Sequence, residues 1–488
     1  MERMNRGILA LALALAGCKV GPDYRRPPPL GTSALPPAFS APADGTNTAQ
    51  WKPAAPAAHR LRGSWWQVFG DTELNRLEAL SGVHNQEIAA AIARFDQARA
   101  SVKVARADLL PQVELDPSSI RQRASFNTPE NGIAEGVSPT FNTFTALAQA
   151  GWEADVWGRV RRQVESARAR LAAGSDDLQA VRLVVQAELA VDYFTLRALE
   201  AETDVLQRTI ETYRRSLELT VSRRQGGIAT DLDVSQAQTQ LRTAEAALPE
   251  LRLRRARLLH AIAALCGQPA VGFALAPQNA PAARTAGAAS GAQAPTVPLA
   301  LPSELLERRP DIAAAEHRMA GANAQVGVAQ SAFYPHFRFN GLAGFESISA
   351  STWFDWPSSF WSVGPAMQLP LFTGGRNRAQ LALSRAAYQE TLAAYRQTVL
   401  SAFQEVEDQI AAQHLLEAQL QAETAALASA QHTLDVANNR YKSGLVTYLE
   451  VAIAQTSALA LERTVVQIRG DKLVAVVGLI KALGGGWE

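Results

Sequence analysis

Cysteine is almost absent: of two among 488 residues, Cys18 sits in an N-terminal targeting segment and Cys266 is left without a partner. A disulfide scaffold is therefore excluded. Charge of one sign is missing as well, since 47 Lys and Arg against 46 Asp and Glu leave a net charge of +1. A nucleic-acid binder needs a basic surplus to displace counterions from phosphates, which sets that partner class aside. No run of eighteen uninterrupted apolar residues occurs, so no helical membrane span is expected. The seven histidines, His59, His84, His260, His317, His336, His414 and His432, fall without metal-ligand spacing. The pair Gly374-Gly375 precedes a helical pattern without the lysine of a phosphate loop. Neither a metal, a cofactor nor an enzyme activity is expected.

What the chain does have begins at residues 1–6, which carry Arg3 and Arg6, followed by a ten-residue apolar run at 7–16 and then Leu15-Ala16-Gly17-Cys18. The run is too short to span a bilayer and ends in small residues, so 1–17 reads as a cleaved signal. The cysteine directly at the cleavage point matches the lipobox of bacterial lipoproteins, which makes Cys18 the expected lipid-bearing residue. Lys19 lacks the aspartate that favours inner-membrane retention, so the expected anchor is in the outer membrane. Residues 18–70 are expected to form an extended, lipidated segment rich in Pro, Ala, Gly and Thr.

A second such stretch, 267–302, separates two halves that repeat. Ile88, Arg94, Val102, Val104 and Pro111 match Ile312, Arg318, Val326, Val328 and Pro335 at a shift of 224. Farther on, 227–234 matches 444–451 at a shift of 217. A period above 200 residues points to duplication of a whole structural half, here 71–266 and 303–485, not to a small solenoid unit.

Each half runs in the same order: an Ala-rich helix, a β-like section, a very long helix, a Gly-containing turn and a shorter helix. The long helices are expected over about 159–225 and 376–443. At 1.5 Å per residue each would be about 100 Å long. Tyr388, Leu392, Tyr395, Val399, Ala402, Val406 and Ile410, and likewise Leu206, Ile210, Tyr213, Leu217 and Val221, step by three and four, the period of helices in left-handed coiled packing. Strict alternation marks strands at 336–346, 361–372 and 143–153, while 113–126 is a poorer strand interrupted by Pro117. One apolar and one polar face suit strands with lipid outside and water inside, or else hairpins of a soluble sandwich. The lipoprotein signal favours the membrane. Four strands cannot close a membrane barrel, so chains must pool them, two giving eight and three giving twelve; the arithmetic alone does not choose.

Taken together, these motifs resemble the TolC-like outer-membrane factors, and among them the NodT-type efflux lipoproteins. The resemblance covers nearly the whole mature chain. It is carried by Gly17-Cys18-Lys19-Val20-Gly21-Pro22-Asp23-Tyr24 with Pro27, Trp65-Trp66 before Phe69-Gly70-Asp71, and Trp152-Glu153-Ala154-Asp155-Val156-Trp157-Gly158-Arg159. Arg308-Arg309-Pro310-Asp311-Ile312, Leu369-Pro370-Leu371-Phe372 before Gly374-Gly375-Arg376, and the paired Gly turns complete it.

It implies a mixed α/β membrane protein: a trimeric twelve-stranded β-barrel with four strands per chain, continuous with a long periplasmic helical barrel. The implied function is a passive outer-membrane channel that carries small toxic compounds onward from an inner-membrane pump of the resistance-nodulation-division class and a periplasmic adaptor. The resemblance places Gly227, Ile228, Ala229, Thr230, Gly444, Leu445, Val446 and Thr447 at the adaptor-contacting tip. Asp233, Leu449 and Glu450 match a periplasmic aperture. Relatives often carry a second acid where this chain has Ile453, and arginines where it has Val446 and Thr456, so a less ionic constriction is expected. A protein-secretion duct and a poreless, lipid-anchored periplasmic scaffold remain the alternatives. Cys266 is expected to be a buried helix-end residue.

Overall fold

The computed structural model describes residues 19–30, 63–123, 140–275 and 308–485. Cys18 and most of the stretch 267–302 lie outside them. The chain separates into two compact units. One takes Arg94–Ser175, Ala314–Tyr395 and the chain up to Pro27; the other takes Pro28–Ala93, Asp176–Ala313 and the chain from Arg396 on.

Helix α1 (Thr72–His84) starts where Asp71 accepts the amides of Glu73 and Leu74 at 2.9 and 3.0 Å, an N-cap that uses the positive φ of the preceding Gly70 to turn into the helix. Helix α2 (Gln86–Ala107) leads to strands β1 (Gln112–Arg123) and β2 (Thr140–Ala154). Then come α3 (Arg159–Gln225) and α4 (Asp231–Leu265). The second half repeats the series as α5 (Pro310–Ser331), β3 (His336–Ser347), β4 (Ser359–Gln368), α6 (Arg376–Lys442) and α7 (Tyr448–Ala482). Helices α3 and α6 are both 67 residues, and α4 and α7 both 35.

In the first unit the four strands form one antiparallel sheet in the order β1-β2-β3-β4. Its register aligns the alternating apolar residues of every strand. Leu115 faces Ala148, Ala148 faces Ala343, and Ala343 faces Trp361; two residues along, Val113, Ala150, Gly341 and Val363 line up in the same way. Because paired residues share a face, one side of the sheet is apolar across all four strands at this level, and turns polar toward the far end of β1 and β2, at Arg121, Arg123, Thr140 and Asn142. Its members are open, with Leu115 69%, Val113 71%, Val363 73% and Trp361 76% exposed. The opposite side carries Glu114, Gln149, Asn340 and Ser362, and Gln149 donates to the Asp116 carboxylate at 2.7 Å.

Two strands differ from expectation, one in its interior and one at its end. β1 runs through Pro117, which an edge strand tolerates because half its amides have no ladder partner. β4 stops at Gln368, short of Phe372: Pro370 has no amide to give, and Gly374 and Gly375, at φ +59 and +86, turn the chain into α6. Where β2 gives way to α3, Asp155 accepts the amides of Val160 and Arg161 at 3.0 and 2.8 Å, capping the long helix. Trp157 stacks toward Tyr334 with ring centres 4.9 Å apart.

The second unit buries the heptad stripes. Leu199, Leu206, Ile210 and Tyr213 of α3 pack with Leu241, Ala244 and Leu251 of α4. Ala237 of α4 meets Ala437 and Tyr441 of α6 and Tyr448, Val451 and Ala454 of α7. Along α6, Val399, Ala402, Val406 and Ile410 are all buried, as their spacing requires. Arg309, 7% exposed, pairs with Asp311 and Glu405 and donates to the Ala482 carbonyl at 3.0 Å, tying the start of α5 to the end of α7. Cys266 caps α4, fully buried, with Sγ 3.8 Å from the Leu77 carbonyl; burial pushes its thiol up to about 11 and leaves it inert. No helix among the described residues is long and apolar enough to cross a membrane.

Candidate functional site at the paired helix turns

The turns α3–α4 and α6–α7 are built on the same plan. Gly227 and Gly444 adopt φ +73 and +76, a region that favours glycine, and each lets the helix end in a tight reversal. Ile228 donates its amide to the Arg223 carbonyl at 2.8 Å, and Leu445 donates to Arg440 at 2.9 Å. Beyond this the turns diverge.

Thr230 caps α4: its hydroxyl oxygen accepts the Asp233 amide at 3.2 Å, while Asp233 Oδ2 accepts the Thr230 amide at 2.9 Å and its hydroxyl at 2.8 Å. This is a closed capping box. Thr447 holds the equivalent place before α7, yet its side chain makes no capping bond. The Tyr448 amide turns instead to Asp233 Oδ1, at 3.2 Å. One carboxylate thus caps both short helices. Burial opposes ionisation of Asp233, but the Thr230 amide and hydroxyl, the Tyr448 amide and nearby Arg223 outweigh it and hold the carboxyl below its ordinary range.

Around this cap the two halves interlock. Arg223 donates to the Lys442 carbonyl at 2.9 Å and lies 4.7 Å over the Tyr441 ring. The Tyr441 and Tyr448 rings meet edge to face at 5.6 Å. Tyr441 donates to Thr220 Oγ1, and Gln455 accepts from Tyr448 while donating to Ser216, all at 3.2 to 3.3 Å.

The expected site residues therefore fall into two groups. Asp233 is 7% exposed with both oxygens engaged, so the structure gives it a bracing role and no open face of its own. Glu450, its repeat equivalent, is half-exposed and lies 3.6 Å from Arg440. Leu449, Ile228 and Leu445 are 49, 67 and 71% exposed, and Gly227, Thr230, Gly444 and Thr447 are also exposed. Ala229 and Val446 are partly covered. A groove of about 430 Å³ runs between α6 and α7, lined by Val436, Ala437, Arg440, Glu450, Ile453 and Ala454. Tyr441, Tyr448 and Arg223 are not signalled by the sequence as tip residues, because the bonds that join the two turns through them span more than 200 residues. Among the described residues no group of three or more His, Cys, Asp or Glu is arranged to hold a metal ion.

The chain is 32% identical to the probable efflux pump outer membrane protein TtgC of Pseudomonas putida over 99% of its own length and 96% of that protein's. It is 29% identical to the cation efflux system protein CusC of Escherichia coli, with 98% of each chain covered. Among solved structures, the outer-membrane channel OprN superposes with a TM-score of 0.82 at 30% identity, covering 96% of this chain and all of that one. The sequence features of outer membrane efflux proteins span residues 79–268 and 301–485, and with these relatives they establish that this chain belongs to the outer membrane efflux protein family.

Proposed function

We propose that three copies of this chain close a twelve-stranded barrel in the outer membrane, the free edge of β1 in one copy pairing with the free edge of β4 in the next. The observation that carries this reading is the sheet: four strands in register, one face apolar from Val113 to Pro117 and across to Trp361 and Val363, and two unpaired edges. Lipid does not tolerate such edges, so closure requires further strands of the same kind. At about 3.3 Å per residue and a tilt near 40°, strands of this length rise about 25–30 Å, the height of an outer-membrane apolar band. Three copies is the number that the resemblance to TolC-like factors implies.

The helices continue the barrel as a periplasmic tunnel. The chain contains no nucleotide-binding loop, so passage through it is passive, driven by an inner-membrane pump of the resistance-nodulation-division class through a periplasmic adaptor. The exposed turns 227–230 and 444–447 receive the adaptor, since small residues there let a partner helix approach the backbone closely. Leu449 and Glu450 line the aperture, and Asp233 holds the turn that presents them. Cys18 carries the lipid anchor. The cargo is small toxic compounds, in keeping with the efflux roles of the relatives.

Single-channel recording in planar bilayers tests the duct. Discrete conductance is expected, larger after Leu449→Ala with Glu450→Ala; complete absence of conductance in both proteins would overturn the reading. Unchanged susceptibility to a panel of toxic compounds after deletion would count against efflux as the task.

A further inference from the structure

Residues 19–26 lie in the first unit as an extended segment, held by side chains that read its backbone. Val20 donates its amide to the Trp157 carbonyl at 3.0 Å. Arg162, only 1% exposed, donates from Nε to the Val20 carbonyl at 3.1 Å and from Nη2 to the Gly21 carbonyl at 2.9 Å and the Asp23 carboxylate at 3.1 Å. Asn323 donates to the Pro22 carbonyl at 2.9 Å. Three successive carbonyls are thus taken by two side chains, one from α3 and one from α5.

Shape reinforces the polar contacts. Gly21, at φ +97, lies on Gly327 so closely that a Cβ there would sit 2.4 Å from the Gly327 Cα. A Cβ on Gly327 would in turn meet Arg162 Nε at 2.8 Å. Flanking pairs complete the seat: Lys19 with Glu165, and Arg26 with Glu316 at 3.1 Å. Lys19 also packs on Gly158, where a Cβ would lie 3.2 Å from its Cγ. Gly158 is four residues beyond the end of β2.

A buried guanidinium is expensive unless its donors are used; here Nη1 goes to Glu165 one turn along α3, at 3.1 Å, and Nε and Nη2 are spent on the extended segment. We infer that Arg162, backed by Asn323 and the Gly21–Gly327 contact, is a positioning residue for the lipid anchor: it clamps residues 19–26, the chain that directly follows Cys18, beside the Trp157-Gly158 turn after β2. Lys19 is one peptide bond from Cys18. With the clamp shut, the residue next to Cys18 is fixed to the turn after β2; with it open, that fixed point is lost. The inference rests on the reading of Cys18 as lipidated.

The test uses the full chain expressed in a Gram-negative host, in four forms: wild type, Arg162→Ala, Cys18→Ala and the double variant. Asn323→Ala and Gly21→Val serve as second routes to the same release should Arg162→Ala fold poorly. Limited trypsinolysis reads the clamp directly. Loss of the Arg162 bonds is expected to speed cleavage after Lys19 and Arg25 by about tenfold or more, leaving cleavage after Arg224 unchanged. Equal rates at those sites would overturn the clamp.

Membrane-inserted trimer yield reads the positioning role. Arg162→Ala is expected to lower it in the lipidated protein and to add nothing in the Cys18→Ala background, because an unlipidated start has no anchor to place. Losses of equal size in both backgrounds, or no loss in the lipidated protein, would overturn the role. The mass of the N-terminal peptide tests lipidation separately: wild type without acyl chains would sink that reading alone, since protection of Lys19 and Arg25 does not depend on it.

Discussion

Replacing Asp233 by alanine removes the group that caps two helices at once. Loss of the capping box costs about 1 kcal/mol. The bond from the Tyr448 amide to a charged acceptor adds about 1.5 kcal/mol, at the low end of its class because 3.2 Å is long. Each helix loses its own share, and since 1.4 kcal/mol is tenfold, the first turn of α4 is expected to open about fivefold and that of α7 about tenfold more often. Native-state hydrogen exchange read by mass spectrometry resolves this, with faster exchange in peptides covering 230–234 and 448–451 and no change along the middle of α3. Asp233→Asn keeps one acceptor oxygen and is expected to fall between. The pH dependence carries a definite sign. Because the folded-state pKa of Asp233 is depressed, its contribution is present above the ordinary carboxylate range and is lost only as pH falls through the lower folded value. Wild-type protection is therefore expected to hold from neutrality to about pH 4 and to drop below it, where the alanine variant stays flat. Wild-type exchange rates at 448–451 in the alanine variant would refute the double-cap reasoning, leaving Thr447 to support α7 alone.

Arg309→Ala strips the buried guanidinium from Asp311, Glu405 and the Ala482 carbonyl, and about 2 to 4 kcal/mol of stability should go with it, read as a lower denaturation midpoint. Glu405→Gln should cost less, since Asp311 remains. Glu78 is 1% exposed, neither of its carboxylate oxygens has a hydrogen-bond partner, and burial pushes its pKa up to about 9. Its raised value makes the native state lose stability as pH climbs from the unfolded pKa, near 4.3, toward 9. Glu78→Leu is expected to stabilise the protein by about 1 to 3 kcal/mol at pH 7.5 and to lose that advantage at pH 4; an equal gain at both values would show that packing, not charge, is responsible.

Local chemistry made most of the architecture legible. The ends of α3 and α6 fall within a residue of where the sequence puts them, because Gly227 and Gly444 force the reversal and no proline interrupts either helix. Alternation identified all four strands, since a sheet with one apolar face writes its period into each strand separately. Pro117 made β1 look weaker than it is, because a single strand does not reveal whether it lies at an edge. The site was only half legible. The 217-residue repeat makes Asp233 and Glu450 equivalent, yet the fold buries one and exposes the other. That difference arises from where Tyr448 falls relative to the first turn, a pairing across 215 positions that no local pattern encodes. Arg162 stayed silent for a related reason: its i+3 pairing with Glu165 looks like any helix-surface pair, while the partners that matter are backbone carbonyls about 140 residues away, and carbonyls leave no mark in a sequence.

The unequal treatment of Asp233 and Glu450 bears on symmetry. In the trimer proposed above, duplicated chains would present six Gly turns around the end, and duplication alone would give the opening sixfold character. With Asp233 consumed inside the chain, the two kinds of turn carry different ion pairs, Arg224 with Asp231 at one and Arg440 with Glu450 at the other, so charge around the rim would repeat three times and not six. A partner with threefold order and one with sixfold order would both find matching geometry there, but only the threefold one would also match the charge.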